Sequence, residues 1–283
     1  MISILNQFTA LLAEGEQMLR SSASQSPELD AQLLLAHVLG LDRMKMLVDP
    51  PEEIPVSAPD VFRRMLARRH AGEPIFYIIG RKGFHNYVFN VNPSVLIPRP
   101  ETEELVEAVL KRFPDEPLAV ADVGTGSGCI AITLGLERAS WRVSALDVSE
   151  KALETARENA AGLKASNVEF FRSNLLSGVG GEFDVIVSNP PYIDVADSGT
   201  LRVEIIKHEP PLALFAEENG LKIIRELAAQ SAARLKPGGT FFCEIGFDQK
   251  NAVEGFFDER WEQVSFLKDI SGHHRIAVAV LRG

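Results

Sequence analysis

The sequence predicts an α/β fold, a doubly wound parallel sheet preceded by a small all-helical region and a β-hairpin connector. Three observations carry this. From residue 118 onward, short apolar runs alternate with amphipathic helical stretches, the pattern of a parallel sheet covered on both faces. The first 75 residues show apolar residues at helical spacing and no period of two. Between these regions, "FHNYVFNVNPSVLIP" alternates Tyr87, Phe89 and Val91 with polar partners, as a strand does. The expected division is therefore 1–75 helical, 76–95 hairpin connector and 96–283 α/β domain.

The elements follow in order. Ile4, Leu5, Phe8, Leu11, Leu12 and Leu19 form one helical stripe. In "SPELDAQLLLAHVLG", Ser26 stands at an N-cap, Pro27 at the first helical position and Gly40 at the stop. Asp30 lies four residues before Leu34 and so shares its face. A third helix runs from near Pro59 to Gly72 and carries Arg63, Arg64, Arg68, Arg69 and His70. These read as a solvated face, or else as a contact for an acidic partner surface. "RPETEELVEAVLKRF" opens the next helix, with Thr102 and acidic residues in its first turn. Strands "LAVADVG" and "WRVSALDVS" are each followed by a helix, and "NVEFFRSN" and "FDVIVSNPPY" are further strands. A helix closed by Pro-Gly-Gly precedes strand "TFFCEIG", and another helix falls near residues 248–257. "WEQVSFLKD" and "RIAVAVLRG" are joined only by "ISGHH" and are expected to pair antiparallel.

Composition narrows the function. The 283 residues include 46% hydrophobic and 24% charged residues, and 29 Lys+Arg against 39 Asp+Glu give a formal charge of −10. A protein living on bare nucleic acid would carry a basic surplus, so no stable nucleic-acid binding is expected. Cys129 and Cys243 sit inside apolar runs with neither a metal-ligand spacing nor a disulfide framework. A reducing, cytoplasmic compartment and no metal are the expectation. The N-terminus lacks a signal-peptide pattern, and no apolar run reaches the length of a membrane span.

"ADVGTGSGCIA" puts Gly124, Gly126 and Gly128 at a strand-to-helix turn. Glycines there let a ligand approach the backbone at a helix N-terminus. The spacing is G-x-G-x-G, not the G-x-G-x-x-G of dinucleotide folds. Asp147 ends the next strand, where a carboxylate can accept from two ribose hydroxyls; alternatively it caps the following helix, a task that Ser149 could also perform. Asp122 adds a second carboxylate at the same edge. Two acids suit a ligand with a ribose and a positive charge and suit a pyrophosphate poorly, which favours S-adenosylmethionine over NAD. In "RSNLL", Asn174 can bond an adenine amine and Leu175 can pack on the ring, unless Asn174 is only a turn residue.

"VSNPPY" ends the fourth strand of the parallel series at that same edge. Asn189 offers a carbonyl acceptor and an amide donor, Pro190 and Pro191 fix the backbone and leave carbonyls free, and Tyr192 offers a flat face. Such a tip grips a planar group bearing NH₂. The nitrogen of an amide or aryl amine is a poor nucleophile because its lone pair is delocalised. Acceptance of its two N–H groups by the Asn189 side-chain oxygen and the Pro190 carbonyl draws density onto it and aims it at a methyl donor. The tetrapeptide does not by itself separate a glutamine amide from an adenine or guanine amine.

The chain resembles the HemK/PrmC family, the peptide chain release factor glutamine methyltransferases, over nearly its whole length. The resemblance rests on "SPELDAQLLLAHVLGLDR", "RRHAGEPIFYIIG", "VLIPRPETEELVE", "DVGTGSGCIAI", "ALDVSEKALETARENA", "FDVIVSNPPYI", "EPPLALFAEENGL" and "LKDISGHHRIAVA", in family order. It implies a seven-stranded, Rossmann-like methyltransferase domain using S-adenosylmethionine, and a helical domain that recognises class 1 release factors. It implies that Gly124, Thr125, Gly126, Ser127, Gly128 and Asp147 hold the cofactor, with Asp122 and Asn174 beside them and Leu175 next to the adenine. Asn189, Pro190, Pro191 and Tyr192 would hold the glutamine of a Gly-Gly-Gln loop, and Arg99 and Glu101 would shape the wall near the methyl group. A monomer is expected. The rival is a nucleic-acid exocyclic-amine methyltransferase with the same tip.

Overall fold

The computed structural model describes residues 4–283. The first three positions of the predicted 1–75 region, and the Ile4 and Leu5 side chains of its first stripe, lie outside the described residues. The chain forms two compact units. One comprises the described residues up to Gly80 together with Val203–His208; the other comprises Arg81–Arg202 and Glu209–Gly283. The segment read as a connector, 76–95, is thus divided between them.

The first unit is built from α1 (Ile4–Arg20), α2 (Pro27–Leu39), α3 (Arg43–Val48), α4 (Ala58–His70) and α5 (Ile75–Ile79). Its core contains Phe8, Leu11, Leu19, Leu34, Phe62 and Leu66. Helix α2 begins at Pro27, after Ser26, and ends at Gly40 in the left-handed conformation. The Ser26 side chain makes no capping bond. Residues 76–79, expected in the hairpin connector, belong instead to α5, a helical turn closed by left-handed Gly80; an apolar run this short shows no period that sequence reading could use.

Asp30 is buried on the apolar face of α2 because Arg69 of α4 meets it there: Arg69 Nε donates to Asp30 Oδ2 at 2.7 Å. Arg69 Nη1 donates to Glu204 Oε2 at 2.6 Å and to the Glu73 carbonyl at 3.1 Å. The rest of the basic face is solvated as expected: Arg63, Arg64, Arg68 and His70 are exposed, with Arg63 paired to Glu14 at 2.7 Å and Arg68 to Glu73 at 2.6 Å. Arg69→Ala removes a cation shared by two largely buried carboxylates. It is expected to cost about 3–5 kcal/mol, the range for breaking a buried ion pair, read as a lowered midpoint in urea unfolding.

The second unit opens with the hairpin β1 (Arg81–Phe84) and β2 (Tyr87–Asn90), then α6 (Pro100–Arg112). There follow β3 (Ala119–Val123), α7 (Cys129–Glu137), β4 (Arg142–Asp147), α8 (Glu150–Leu163), β5 (Val168–Arg172) and β6 (Phe183–Ser188). Short β7 (Ile193–Asp194), α9 (Val203–His208, in the first unit) and β8 (Phe215–Ala216) precede α10 (Lys222–Ser231). The chain closes with β9 (Leu235–Glu244), α11 (Lys250–Glu254), β10 (Trp261–Lys268) and β11 (His274–Leu281).

Among the described residues, seven strands form one sheet in the order β10-β11-β9-β6-β3-β4-β5. Strands β5, β4, β3, β6 and β9 are parallel, and β11 and β10 are antiparallel to their neighbours. Strand side chains alternate between faces. Val185 and Val187 enter a core with Leu105 and Ile132, whereas Ile186 enters a second core with Ile224 and Leu227. Two apolar faces on one strand are what a doubly wound sheet requires. The order reverses at β3, which pairs with β4 on one side and β6 on the other, and ligands bind at such a switch point, beyond the carboxyl ends of the strands.

One element differs from expectation. Pro237, Gly238 and Gly239 do not close a helix; they lie within β9, and α10 ends at Ser231. Strand β6 advances from Phe183 to Val185 while β9 advances from Leu235 to Thr240. The Pro-Gly-Gly is a bulge near the start of this interior strand, before Thr240 begins the pairing with β11, where a missing N–H and a left-handed Gly238 are tolerated.

Candidate active site

The turn from β3 into α7 is bent by left-handed Gly124 (φ 77°), Gly126 (φ 56°) and Gly128 (φ 82°). A Cβ on Gly124 or Gly126 would meet no protein atom nearer than 4.0 Å, so the turn leaves an unfilled cradle. A Cβ on Gly128 would come 2.6 Å from Ile132 Cδ1 and 3.2 Å from Ala156 Cβ. Gly128 therefore serves the packing of α7 on α8, while Gly124 and Gly126 line an open cleft of about 470 Å³.

Asp147, at the end of β4, lines the same cleft. Its Oδ2 accepts from Gly126 N and its Oδ1 from Ser149 N, each at 2.9 Å. Each oxygen keeps a further lone pair. Ser149 caps α8 by accepting from Ala152 N at 3.2 Å, so Asp147 is not needed as the cap. Burial raises the Asp147 carboxyl above its ordinary value, against the lowering effect of its backbone donors.

Asp122 lies elsewhere. It is fully buried behind the turn, where its Oδ2 accepts from Thr125 Oγ1 at 2.6 Å and from Ala131 N at 3.1 Å. Desolvation pushes it up to about 7. Thr125 and Ser127 are buried too, and neither they nor Asp122 lines the cleft. A short polar side chain next to a glycine turn faces inward here to satisfy the turn's own donors, a distinction that spacing does not reveal. Asn174 and Leu175 do line the cleft, as do Asn189 and Pro191. Val95, Leu96, Pro210 and Phe215 supply apolar wall.

At the tip of β6, Asn189 Nδ2 donates to Thr102 Oγ1 at 2.9 Å, and Thr102 Oγ1 donates to Glu244 Oε2 at 2.8 Å. The Tyr192 hydroxyl donates to Glu244 Oε1 at 3.1 Å. The Asn189 carbonyl oxygen accepts no hydrogen bond among the described residues. Pro190 is buried and Tyr192 half-buried, and neither lines the cleft. Arg99, which precedes α6, donates from Nη2 to Glu209 Oε1 at 2.6 Å. Arg99 and Glu101 also lie off the cleft lining.

Four residues at the tip were not singled out for it. Thr102 and Glu244 form the hydrogen-bonded chain that starts at Asn189. Gln249 Nε2 donates to the Tyr192 carbonyl at 2.9 Å and to the Asn219 carbonyl at 3.2 Å. Gly220 (φ 78°) lies against the same carbonyl: a Cβ there would collide with Tyr192 O and sit 2.6 Å from its carbonyl carbon. The one usable signal was Glu244, an acid ending the apolar strand "TFFCEIG" beside the tip strand.

The cradle, the carboxylate with lone pairs to spare and the apolar wall fit S-adenosylmethionine: close backbone approach, a ribose diol and an adenine ring. Solved structures share the fold. Ribosomal protein L11 methylase from Lactobacillus delbrueckii subsp. bulgaricus is 26% identical, with a TM-score of 0.51 over 68% of this chain and 84% of that one. A methyltransferase from Pyrococcus furiosus is 23% identical, with a TM-score of 0.52 over 69% of this chain and 88% of that one. Fold and site define an S-adenosylmethionine-dependent methyltransferase.

Residues 10–80 match the PrmC N-terminal domain family and residues 102–209 the methyltransferase small domain family. Release factor glutamine methyltransferase from Koribacter versatilis is 42% identical over 92% of this chain and 93% of that protein. The proteins of the same name from Enterococcus faecalis (42%; 85% of this chain, 87% of that one) and Neisseria gonorrhoeae (43%; 90% and 94%) are similar. The chain belongs to the release factor glutamine methyltransferase family.

Gly220→Ala should displace the Tyr192 carbonyl, since neither it nor the left-handed backbone can absorb a methyl group. A shift of about 1 Å near reacting groups costs on the order of 10²-fold, and a loss of that size in kcat/KM, with the circular dichroism spectrum unchanged, is the expected result.

Proposed function

We propose that this chain transfers a methyl group to the side-chain amide nitrogen of the glutamine in the Gly-Gly-Gln loop of class 1 peptide chain release factors. The observation that carries the reading is the direction of the Asn189 amide. Its nitrogen is committed to Thr102 at 2.9 Å, so its oxygen is the atom left to accept an N–H from an incoming amide. The names of the relatives support the same substrate class.

S-adenosylmethionine, when bound, supplies an electrophilic methyl group on a sulfonium centre. Asp147 is suited to the ribose hydroxyls, Leu175 and Asn174 to the adenine, and Gly124 and Gly126 to close backbone approach. Asn189 Oδ1 and the Pro190 carbonyl accept the two N–H groups of the glutamine, hold its plane and stabilise the positive charge that grows on nitrogen as the N–C bond forms. The nitrogen then gives up one proton to water. Arg99, fixed by Glu209, and Glu101 shape the neighbouring wall. The helical region, residues 1–75, selects the protein that presents the loop. We place this activity in the cytoplasm, in a monomer; no helix among the described residues is long and apolar enough to cross a membrane.

The test is incubation with radiolabelled S-adenosylmethionine and a release factor, beside a copy whose loop glutamine is replaced. Label on the first alone is expected. Label on RNA or DNA instead of either would replace this reading with a nucleic-acid amine methyltransferase.

A further inference from the structure

Glu244 is 1% exposed, ends β9 beside the Asn189 tip and holds hydrogen bonds from both sides of that tip. Strand register puts it there: Ser188 pairs with Cys243, so the next residue on each strand, Asn189 and Glu244, reaches the same sheet edge. We propose that Glu244 is a positioning residue for methyl transfer, whose carboxylate sets the direction of the Asn189 amide through the Thr102 hydroxyl. The proposal rests on the reading of Asn189 given above.

The direction follows from the hydrogens available. The Thr102 hydroxyl has one. An ionised Glu244 only accepts, so that hydrogen points to Oε2 and the hydroxyl oxygen is left to accept from Asn189 Nδ2. The Asn189 oxygen is thereby turned to the cleft. If Glu244 is protonated on Oε2, the acid donates to Thr102 and the threonine hydrogen turns to Asn189. The amide must then meet it with its oxygen and present NH₂ to the cleft, where it cannot accept from a glutamine N–H. Protonation on Oε1 instead makes the acid the donor to the Tyr192 hydroxyl, which then accepts and turns its own hydrogen away, so one bond of the tip reverses direction in either case.

The surroundings place this switch near neutrality. Desolvation pushes Glu244 up to about 7, opposed by its bonds from Thr102 and Tyr192 and by Arg275 of β11, and assisted by Glu101 of α6. Arg275 is itself held by Asp269 at 3.3 Å. Tyr192 is raised by burial and remains a neutral donor. Burial also pushes up the two nearby thiols, Cys129 to about 12 and Cys243 well above its ordinary value. Asp122, likewise near 7, is a separate ionisation behind the glycine turn, so the informative comparison is between wild type and E244Q.

Glu244→Gln keeps the shape but can accept through only one oxygen. Loss of a hydrogen bond to a charged group predicts a fall in kcat of about 10- to 100-fold, with cofactor affinity retained. In wild type, kcat should rise with pH through an ionisation near 7; in E244Q that rise should be absent. Thr102→Val should fall by a similar factor, Thr102→Ser should retain activity, and E244Q/T102V should be no worse than either single variant, as members of one chain are non-additive.

A second readout needs no turnover. In ¹⁵N-asparagine-labelled protein, the side-chain resonance that disappears in Asn189→Ala should titrate near pH 7 in wild type and stay fixed in E244Q. An Asn189 resonance that does not titrate in wild type overturns the proposal, even if E244Q fails to fold. Wild-type kcat and pH profile in folded E244Q would also overturn it while leaving the substrate reading intact. Absence of release factor methylation by wild type would instead remove that reading.

Discussion

Asn189→Ala is expected to lower kcat by about 10³-fold, the upper range for removal of one preorganised polar group at a reacting centre, and to leave the dissociation constant for S-adenosylmethionine within about threefold. The asymmetry follows from the contacts. The Asn189 nitrogen is tied to Thr102 at 2.9 Å, and its oxygen is unengaged in the described structure. An alanine keeps the Pro-Pro backbone but removes the group that distinguishes an oriented amide from a loosely held one. Single-turnover kinetics with saturating cofactor, beside calorimetric titration of the cofactor alone, separates the two effects. Parallel losses in rate and cofactor affinity would contradict the role given to Asn189.

Asp147→Ala should do the converse. Two hydrogen bonds from ribose hydroxyls to a carboxylate imply a cofactor affinity weaker by on the order of 10²-fold or more, at about 1.5–3 kcal/mol each. The substitution also frees the Gly126 and Ser149 N–H groups, which now donate to the carboxylate at 2.9 Å each, so part of the loss reflects a slackened turn. Asp147→Asn keeps one acceptor oxygen and should fall between wild type and alanine. Calorimetric titration checks the order, and affinities within about threefold for all three proteins would remove Asp147 from the cofactor site. At saturating cofactor, kcat should recover most of its wild-type value.

The alternation of strands and helices was legible in the sequence because β6 carries apolar residues on both faces, and only a sheet covered on both sides has a use for them. The glycine turn, Asp147 and the Asn-Pro-Pro-Tyr tip were legible because each lies at the carboxyl end of a strand, where period and punctuation coincide. What was not legible is contact across long separations. Thr102 and Glu244 meet at 2.8 Å although they are 142 positions apart, and nothing local to either predicts the other. Asp122 was placed in the ligand site on type and position alone; the direction in which a carboxylate faces depends on which donors need it, and the Thr125 hydroxyl and the Ala131 N–H claimed this one. Arg69 was read among its helix neighbours as a surface charge, for want of any sign that Asp30 and Glu204 would surround it.

Helix α9 has a bearing on how this protein can be taken apart. The six residues Val203–His208 are grouped with the helical unit, yet they are encoded between the tip and the closing half of the sheet. A truncation at Gly80 is therefore not a clean excision. It strands Glu204 without the Arg69 guanidinium that now meets it at 2.6 Å, in a segment that leads directly into Glu209, the partner of Arg99. Exchanging helical units between relatives would require two pieces of chain to travel together, and a graft of the N-terminal piece alone would carry the wrong match for the piece left behind.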